Sequence, residues 1–157
     1  MKIKEGMKAP QFILQNTEGE KVSLNQVNQD KNIVLLFFPL AFSSTCIKEL
    51  CDTRDNMKFY EALDAEVIGI SIDSFFTLKE FKESQNLNFT LLSDFNKEVS
   101  KDYGCLYDDF YGMVGVSKRS AFVIDREGVI QYSEVLDDAS KLPDFAAIQD
   151  ILEELNN

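Results

Sequence analysis

Two of the three cysteines, Cys46 and Cys51, lie where a hydroxyl-rich turn leads into a predicted helix. The turn follows an apolar run and Pro39, and Cys46 stands at the expected start of the helix. The first N–H groups of a helix lack partners within the helix, and the helix dipole favours negative charge at that end. A thiol placed there is biased towards its reactive thiolate form. The pattern therefore predicts that Cys46 is a nucleophile and that the chain carries out sulfur chemistry.

The sequence contains no histidine, and this narrows the possible classes of enzyme. It excludes cysteine–histidine proteases, Ser-His-Asp hydrolases and metal sites built on histidine. Three cysteines without a second close pair do not supply a usual closed zinc site, so we predict no metal and no cofactor. An odd number of cysteines also favours free, catalytic or transiently paired thiols over a structural disulfide framework.

The chain has 157 residues, of which 27 are acidic and 16 basic, and its net charge is −11. This charge argues against a nucleic-acid partner or an anionic membrane surface. The length is typical of one globular unit, so we expect residues 1–157 to form a single domain. The first residues are polar and no apolar run is long enough to cross a bilayer, which predicts a cytoplasmic protein.

Apolar periodicity and turn residues predict the order of strands and helices. A continuously apolar run is expected to form a central strand covered on both faces. Ser74 is expected to cap one helix, and Pro143 to open the last one. The order predicts an α/β protein with a thioredoxin-like fold, in which a mixed central sheet carries helices on both faces and an N-terminal hairpin. The predicted elements are the strand pair 11–15 and 21–22, strand 33–38, helix 46–63, strand 66–73, a helix from 74, strand 90–92, helix 96–103, the strand pair 120–125 and 129–132, and a helix from 143.

The spacing of Pro39, Ser43 and Cys46 reads Pro-x-x-x-Ser-x-x-Cys, and on this pattern the chain resembles a peroxiredoxin. The stretch 38–42, Phe-Pro-Leu-Ala-Phe, is similar to the alkyl hydroperoxide reductase E branch of that family. The spacing of Cys46 and Cys51 is similar to the bacterioferritin-comigratory, or Q-type, branch. One departure is that Ser43 stands where threonine is usual. The hydroxyl is kept, but the methyl group that helps to fix its rotamer is absent.

The chemistry of peroxide reduction accounts for the residue types around Cys46. A thiolate attacks one peroxide oxygen, releases water or an alcohol and becomes a sulfenic acid. N–H groups at the helix start, the Ser43 hydroxyl and the Arg119 guanidinium are predicted to stabilise the negative charge that moves across the O–O bond. Pro39 offers no N–H and is expected to shield the thiol from water. Glu49, one turn into the helix, is predicted to orient the arginine.

Several of these residues also have a plainer interpretation. Ser43 can be a helix N-cap without a role in catalysis, and Glu49 can lie on a solvated helix face without contacting the arginine. Arg119 directly precedes a predicted core strand, in a segment that resembles the one where the family places an active-site arginine. Arg54 is the alternative for that role, whereas Arg126 lies in a predicted hairpin turn and is expected to be solvated.

The role of Cys51 depends on local unfolding. On a regular helix, residues i and i+5 lie about 140° apart around the axis and their Cα atoms are more than about 7 Å apart, so a Cys46–Cys51 disulfide requires the first turn to open. Cys51 is expected to resolve the sulfenic acid in this way. The alternatives are that Cys51 is a packed thiol and an external thiol resolves, or that Cys105 does so.

These observations predict a thiol-dependent peroxidase that reduces hydrogen peroxide and organic hydroperoxides through a sulfenic acid at Cys46. The resemblance implies a thioredoxin-type reductant and a monomer or a homodimer. Two alternatives stay open: a one-cysteine peroxidase recycled by an external thiol, and a thioredoxin-like module for redox sensing or disulfide exchange. A thioredoxin-like disulfide reductase would normally carry two cysteines separated by two residues, whereas four residues separate Cys46 and Cys51.

Overall fold

The structure is a computed structural model that describes residues 3–156. Within that range, seven strands form one mixed sheet. The strands are β1 (Ile13–Asn16), β2 (Lys21–Ser23), β3 (Asn32–Phe37), β4 (Ala65–Ser71), β5 (Thr90–Ser93), β6 (Ser120–Ile124) and β7 (Ile130–Val135). Their order across the sheet is β2-β1-β5-β4-β3-β6-β7. The two central pairings, β3 with β4 and β4 with β5, are parallel, and the other four pairings are antiparallel.

Helices cover both faces of this sheet. They are α1 (Leu24–Val27), α2 (Ser44–Asp55), α3 (Met57–Ala62), α4 (Phe75–Ser84), α5 (Glu98–Asp102) and α6 (Phe145–Leu155). Buried residues of α2, α3, α4 and α6 form one core, and those of α1, α5 and the N-terminal segment form a second core. None of the helices described between residues 3 and 156 is long and apolar enough to cross a membrane.

The central strand β3 shows why the sheet needs cover on both faces. All six of its residues are buried. Val34 and Leu36 belong to the core on the α2 face, whereas Leu35 and Phe37 belong to the core on the other face. Because successive side chains of a strand point to opposite faces, a continuously apolar strand must be covered twice. The predicted mixed sheet, its helices on both faces and its N-terminal hairpin are confirmed.

The segments that carry chemistry meet at one edge of the sheet. The carboxyl ends of the parallel strands β3, β4 and β5 share this edge, and the antiparallel strand β6 begins there. Pro39 follows β3, Asp73 follows β4, and Arg119 directly precedes β6. Phe37 and Ser120 are register partners at the end of β3. This pairing brings Arg119 beside the loop that leads into α2.

The predicted helix 46–63 is wrong in its extent, because the structure divides it into α2 and α3. Asn56, at φ −107° and ψ 10°, leaves the helical conformation between the two. Buried residues in both halves, such as Leu50 and Tyr60, belong to the same core. The apolar spacing therefore continues through the break and does not reveal it.

Two other helix starts differ from the sequence prediction. The short helix α1 has too few residues to show a period, although Ser23 caps it by accepting a hydrogen bond from the Gln26 N–H. The last helix is capped by Asp144, whose side chain accepts from the Ala147 N–H, so Pro143 precedes the cap instead of opening the helix. The predicted cap of α4 by Ser74 is confirmed.

Candidate active site

Cys46 lies in the first turn of α2, and its side chain is fully buried. Ser43 occupies the N-cap position, and its backbone carbonyl accepts the first helical bond, from Ile47 N–H, over 2.9 Å. The Ser43 side chain makes no capping bond. Its hydroxyl donates to the Leu40 carbonyl over 3.1 Å instead. The first-turn N–H groups are therefore free of a side-chain cap from Ser43, which leaves positive potential near the thiol.

Arg119 supplies a full positive charge to the same thiol. Its Nη2 lies 3.2 Å from the Cys46 sulfur, and its side chain is 1% exposed. The Ala139 carbonyl accepts hydrogen bonds from Arg119 Nε over 3.2 Å and from Nη2 over 3.1 Å, which fixes the plane of the guanidinium. A buried cation in contact with the sulfur stabilises negative charge that develops there.

Glu49 binds the other arm of the same guanidinium. The Glu49 Oε1 atom accepts from Arg119 Nη1 over 2.7 Å, and the carboxylate is fully buried. Among the described residues, none donates a hydrogen bond to Glu49 Oε2. Burial raises the pKa of Glu49 from 4.5 to about 7, although the charge of Arg119 and its hydrogen bond oppose this shift. Burial lowers the pKa of Arg119, but the neighbouring Glu49 and Cys46 outweigh it, and the net direction is upward.

The loop between β3 and α2 is tied to the neighbouring strand by Asp73. The Asp73 Oδ2 atom accepts from the Ala41 N–H over 2.8 Å and from the Ser71 hydroxyl over 2.7 Å. Pro39 is buried at the start of this loop. Phe42 follows in the left-handed region, at φ 71°, which bulky residues adopt rarely. Asp73 is not predicted as a site residue from the sequence. The available signal was an acid at the end of a buried strand.

Cys51 and Arg54 lie together, on a different side of α2 from Arg119. The Cys51 thiol donates to Gln85 Oε1 over 3.6 Å, and Arg54 Nη1 donates to the Gln85 carbonyl over 2.5 Å. Arg54 Nε also donates to Asp55 Oδ1 over 3.0 Å. The structure therefore brings together the predicted residues Cys46, Glu49 and Arg119, and it separates Arg54 from that group.

All three cysteines are free thiols, and Cys46 and Cys51 share the uninterrupted helix α2. Cys105 is buried in the core on the opposite face of the sheet from Cys46. Burial raises the pKa of the Cys105 thiol to about 12. A thiol that is protonated and lies across the sheet is poorly placed to attack a sulfenic acid at Cys46. Between residues 3 and 156, no three cysteine or acidic side chains lie together as a metal site.

Comparisons with known proteins show the family to which this chain belongs. The model of the AhpC/TSA family matches residues 6–133. A chloroplastic peroxiredoxin Q of rice (Oryza sativa subsp. japonica) is 38% identical over 131 residues, which are 83% of this chain and 58% of the relative. A bcp-type peroxiredoxin of Coxiella burnetii is 39% identical over 132 residues, which are 83% of this chain and 87% of that protein. The chain spans about 58% of the length of the rice relative.

Solved structures of peroxiredoxins have the same fold. The peroxidoxin BcpB of Mycobacterium tuberculosis superposes with a TM-score of 0.84 at 27% identity, and the match covers 98% of this chain and 96% of that one. A peroxiredoxin-like protein from Aquifex aeolicus superposes with a TM-score of 0.89 at 24% identity, over 99% of this chain and 89% of that one. These matches confirm the predicted thioredoxin-like fold.

Proposed function

This chain belongs to the AhpC/TSA family, and we propose that it is a thiol-dependent peroxidase. The similar proteins from rice and Coxiella burnetii are peroxiredoxins. Its substrates are hydrogen peroxide and organic hydroperoxides. The observation that carries the proposal is the 3.2 Å contact between Arg119 Nη2 and the Cys46 sulfur at the start of a helix. The family supports this chemistry, and the contact supports it too, because a guanidinium beside the Cys46 sulfur stabilises the negative charge of a nucleophile that attacks an electrophilic oxygen.

The peroxide step forms one S–O bond and breaks one O–O bond. The Cys46 thiolate attacks the near oxygen, which stays on sulfur as a sulfenic acid, and the far oxygen leaves with the bonding electrons and takes up a proton as water or alcohol. Arg119 has five N–H groups, and four hydrogen bonds to described residues leave one on Nη1 for a peroxide oxygen. The Ser43 hydroxyl oxygen can accept the peroxide's O–H, because it donates its own proton to Leu40.

The return to the thiol requires a resolving thiol and an external dithiol, which is oxidised to a disulfide. Cys51 attacks the sulfenic acid after α2 opens, and the resulting disulfide is reduced by a thioredoxin-type protein. The half-buried position of Cys51 and its location in the same helix support this assignment, while the opposite-face position of Cys105 argues against the alternative. A one-cysteine cycle with an external thiol is the second candidate. We also propose a cytoplasmic location and a monomer or homodimer.

The test is peroxide consumption with dithiothreitol as the reductant, measured with hydrogen peroxide and with cumene hydroperoxide. Cys46→Ser should abolish turnover, since a serine hydroxyl is not appreciably ionised and cannot replace the thiolate. Cys105→Ser is the matched control and should retain turnover. Substantial turnover in Cys46→Ser would refute the peroxidase. Slow oxidation of Cys46 without turnover in the wild type would instead favour a redox-sensing module.

A further inference from the structure

Three hydrogen bonds join the second half of α2 to the C-cap of α4 and the segment that follows it. The Cys51 thiol donates to Gln85 Oε1 over 3.6 Å, and Arg54 Nη1 donates to the Gln85 carbonyl over 2.5 Å. The Asn88 side-chain amide donates to the Arg54 carbonyl over 3.3 Å. Neither Cys46 nor the groups that contact it take part in this cluster. The cluster therefore acts on the second cysteine of the helix and not on the first.

Gln85 is a fixed partner for Cys51. It is the C-cap of α4, and its N–H donates to the Phe81 carbonyl over 3.1 Å, while Leu78 and Phe81 anchor α4 in the core. The Gln85 amide nitrogen donates to the Ser84 hydroxyl over 3.5 Å, which leaves the amide oxygen facing the thiol. Cys51 is consequently the donor in its bond to Gln85.

The bond to Gln85 opposes the resolving reaction in two ways. In that reaction the Cys51 sulfur attacks the sulfenic sulfur of Cys46, one S–S bond forms, the S–O bond breaks, and the Cys51 proton and the hydroxyl leave together as water. The attacking form is the thiolate, whereas the bond to Gln85 uses the thiol proton. The attack also requires Cys51 to leave its place on the helix, because about 140° of rotation separates the two cysteines.

We propose that Gln85 is a positioning residue that holds Cys51 on the folded helix and limits the rate of disulfide formation. This inference rests on the proposed function, in which Cys51 resolves the sulfenic acid. The bond exists only while α2 is folded, so its loss raises the population of the opened helix and speeds the resolving step. The peroxide step takes place in the folded form, at a sulfur that Gln85 does not contact, and its rate is unaffected.

The test is a single turnover in which fully reduced protein receives one equivalent of hydrogen peroxide and is quenched in acid at successive times. Intact mass then separates the sulfenic acid, which has gained one oxygen, from the disulfide, which has lost two hydrogens. Gln85→Met keeps the length of the side chain and removes the acceptor. We expect its disulfide to form about 2- to 5-fold faster than in the wild type, since one hydrogen bond from a weak S–H donor is lost.

Two further variants make the result specific to this contact. Gln85→Glu restores an acceptor of the same shape and should return the resolving rate to the wild-type value or below it. Glu80→Gln changes an exposed side chain of the same helix and should leave every rate unchanged. The rate of sulfenic acid formation should be the same in all four proteins.

The outcomes separate this inference from the function on which it rests. An unchanged or slower resolving rate in Gln85→Met would overturn the role of Gln85 and leave the peroxidase and its resolving cysteine intact. Faster resolution in Glu80→Gln as well would also overturn it, because general loosening of α4 would then be the cause. Absence of any disulfide in the wild type would overturn both the role of Gln85 and the resolving role of Cys51.

Discussion

Arg119 Nη2 and the Cys46 sulfur lie 3.2 Å apart, although 73 positions separate the two residues in the chain. The contact arises because β6 pairs antiparallel with β3, so the residue before β6 meets the loop that follows β3. Arg119 also binds Glu49, and one buried guanidinium therefore serves two acidic groups. Its planar fork is suited to this geometry, since separate N–H groups point to separate partners.

Arg119→Lys should slow the peroxide step by roughly 10- to 100-fold, because an ammonium group lacks the fork that contacts the sulfur and Glu49 together. The measurement is the second-order rate of sulfenic acid formation under single-turnover conditions, with thermal unfolding as a check on folding. Arg126→Lys, at an exposed arginine in the hairpin turn, is the control and should react at the wild-type rate. An unchanged rate in Arg119→Lys with a slow Arg54→Lys would transfer the role to Arg54.

Glu49→Gln should remove a pH dependence of stability. Burial raises the pKa of Glu49 from 4.5 in the unfolded chain to about 7 in the folded protein. The folded state thus holds this proton more tightly, so the carboxyl favours folding below pH 4.5 and the contribution is lost as the pH rises through about 7. As the pH rises from 5 to 8, the wild type loses this contribution and Glu49→Gln does not. The free energy of unfolding of Glu49→Gln, measured relative to the wild type, should therefore increase by about 2 kcal/mol over this range.

Urea unfolding of the reduced proteins at these two pH values provides the measurement. Glu61→Gln changes an exposed carboxylate on α3 and serves as the control, for which the difference from the wild type should be the same at both pH values. If Glu49→Gln also shows a constant difference, the buried carboxyl is ionised throughout and its pKa is not raised.

The sequence predicts most of the fold because its strongest patterns are local. The apolar run of β3 and the turn residues of the hairpins define elements whose order leaves few topologies. The break at Asn56 and the four-residue helix α1 are not predictable in this way. The break at Asn56 lies inside a continuous helical spacing of apolar residues, which gives no sign of it. Helix α1 has only four residues, too few for a helical spacing to be recognised.

The residues of the candidate site also differ in whether their roles depend on local sequence or on tertiary contacts. Cys46 is recognisable because its chemistry depends on the adjacent turn and helix start. The contact between Arg119 and Glu49 requires the register of β3 with β6, which no local pattern contains. Its two partners are nevertheless predicted, Glu49 from its place one turn into the helix and Arg119 from the segment that resembles the family's. Asp73 and Gln85 are single polar residues that act through tertiary contacts. The sequence offers only a weak signal for Asp73, an acid at the end of a buried strand, and none for Gln85.

Asp73→Ala should slow the peroxide step roughly 10-fold by releasing the Ala41 N–H and with it the loop that leads to Cys46. Alkylation of Cys46 by iodoacetamide needs no aligned peroxide, and its rate should change much less. Asp73→Asn keeps an acceptor and should recover most of the peroxide rate, while Asp150→Ala is the control at an exposed site. Equal losses in the peroxide and alkylation rates would mean that Asp73 maintains the fold without orienting the loop.

Cys51→Ser should still consume one peroxide per chain at the wild-type rate, because chemistry at Cys46 precedes resolution. It should then stop as the sulfenic acid and fail to turn over with thioredoxin, although small thiols can still reduce it. The oxidised wild type should lose two hydrogens and keep Cys105 as its free thiol. Its far-ultraviolet helix signal should weaken, since the disulfide requires the first turn of α2 to open.

The matched control for Cys51→Ser is Cys105→Ser, which removes a buried thiol from the opposite face of the sheet and should cycle normally with thioredoxin. Normal cycling of Cys51→Ser together with failure of Cys105→Ser would assign resolution to Cys105, in spite of the sheet that lies between it and Cys46. If both variants cycle normally, the sulfenic acid is reduced directly by an external thiol. The buried pair of Cys46 and Arg119 would then carry out a one-cysteine reaction.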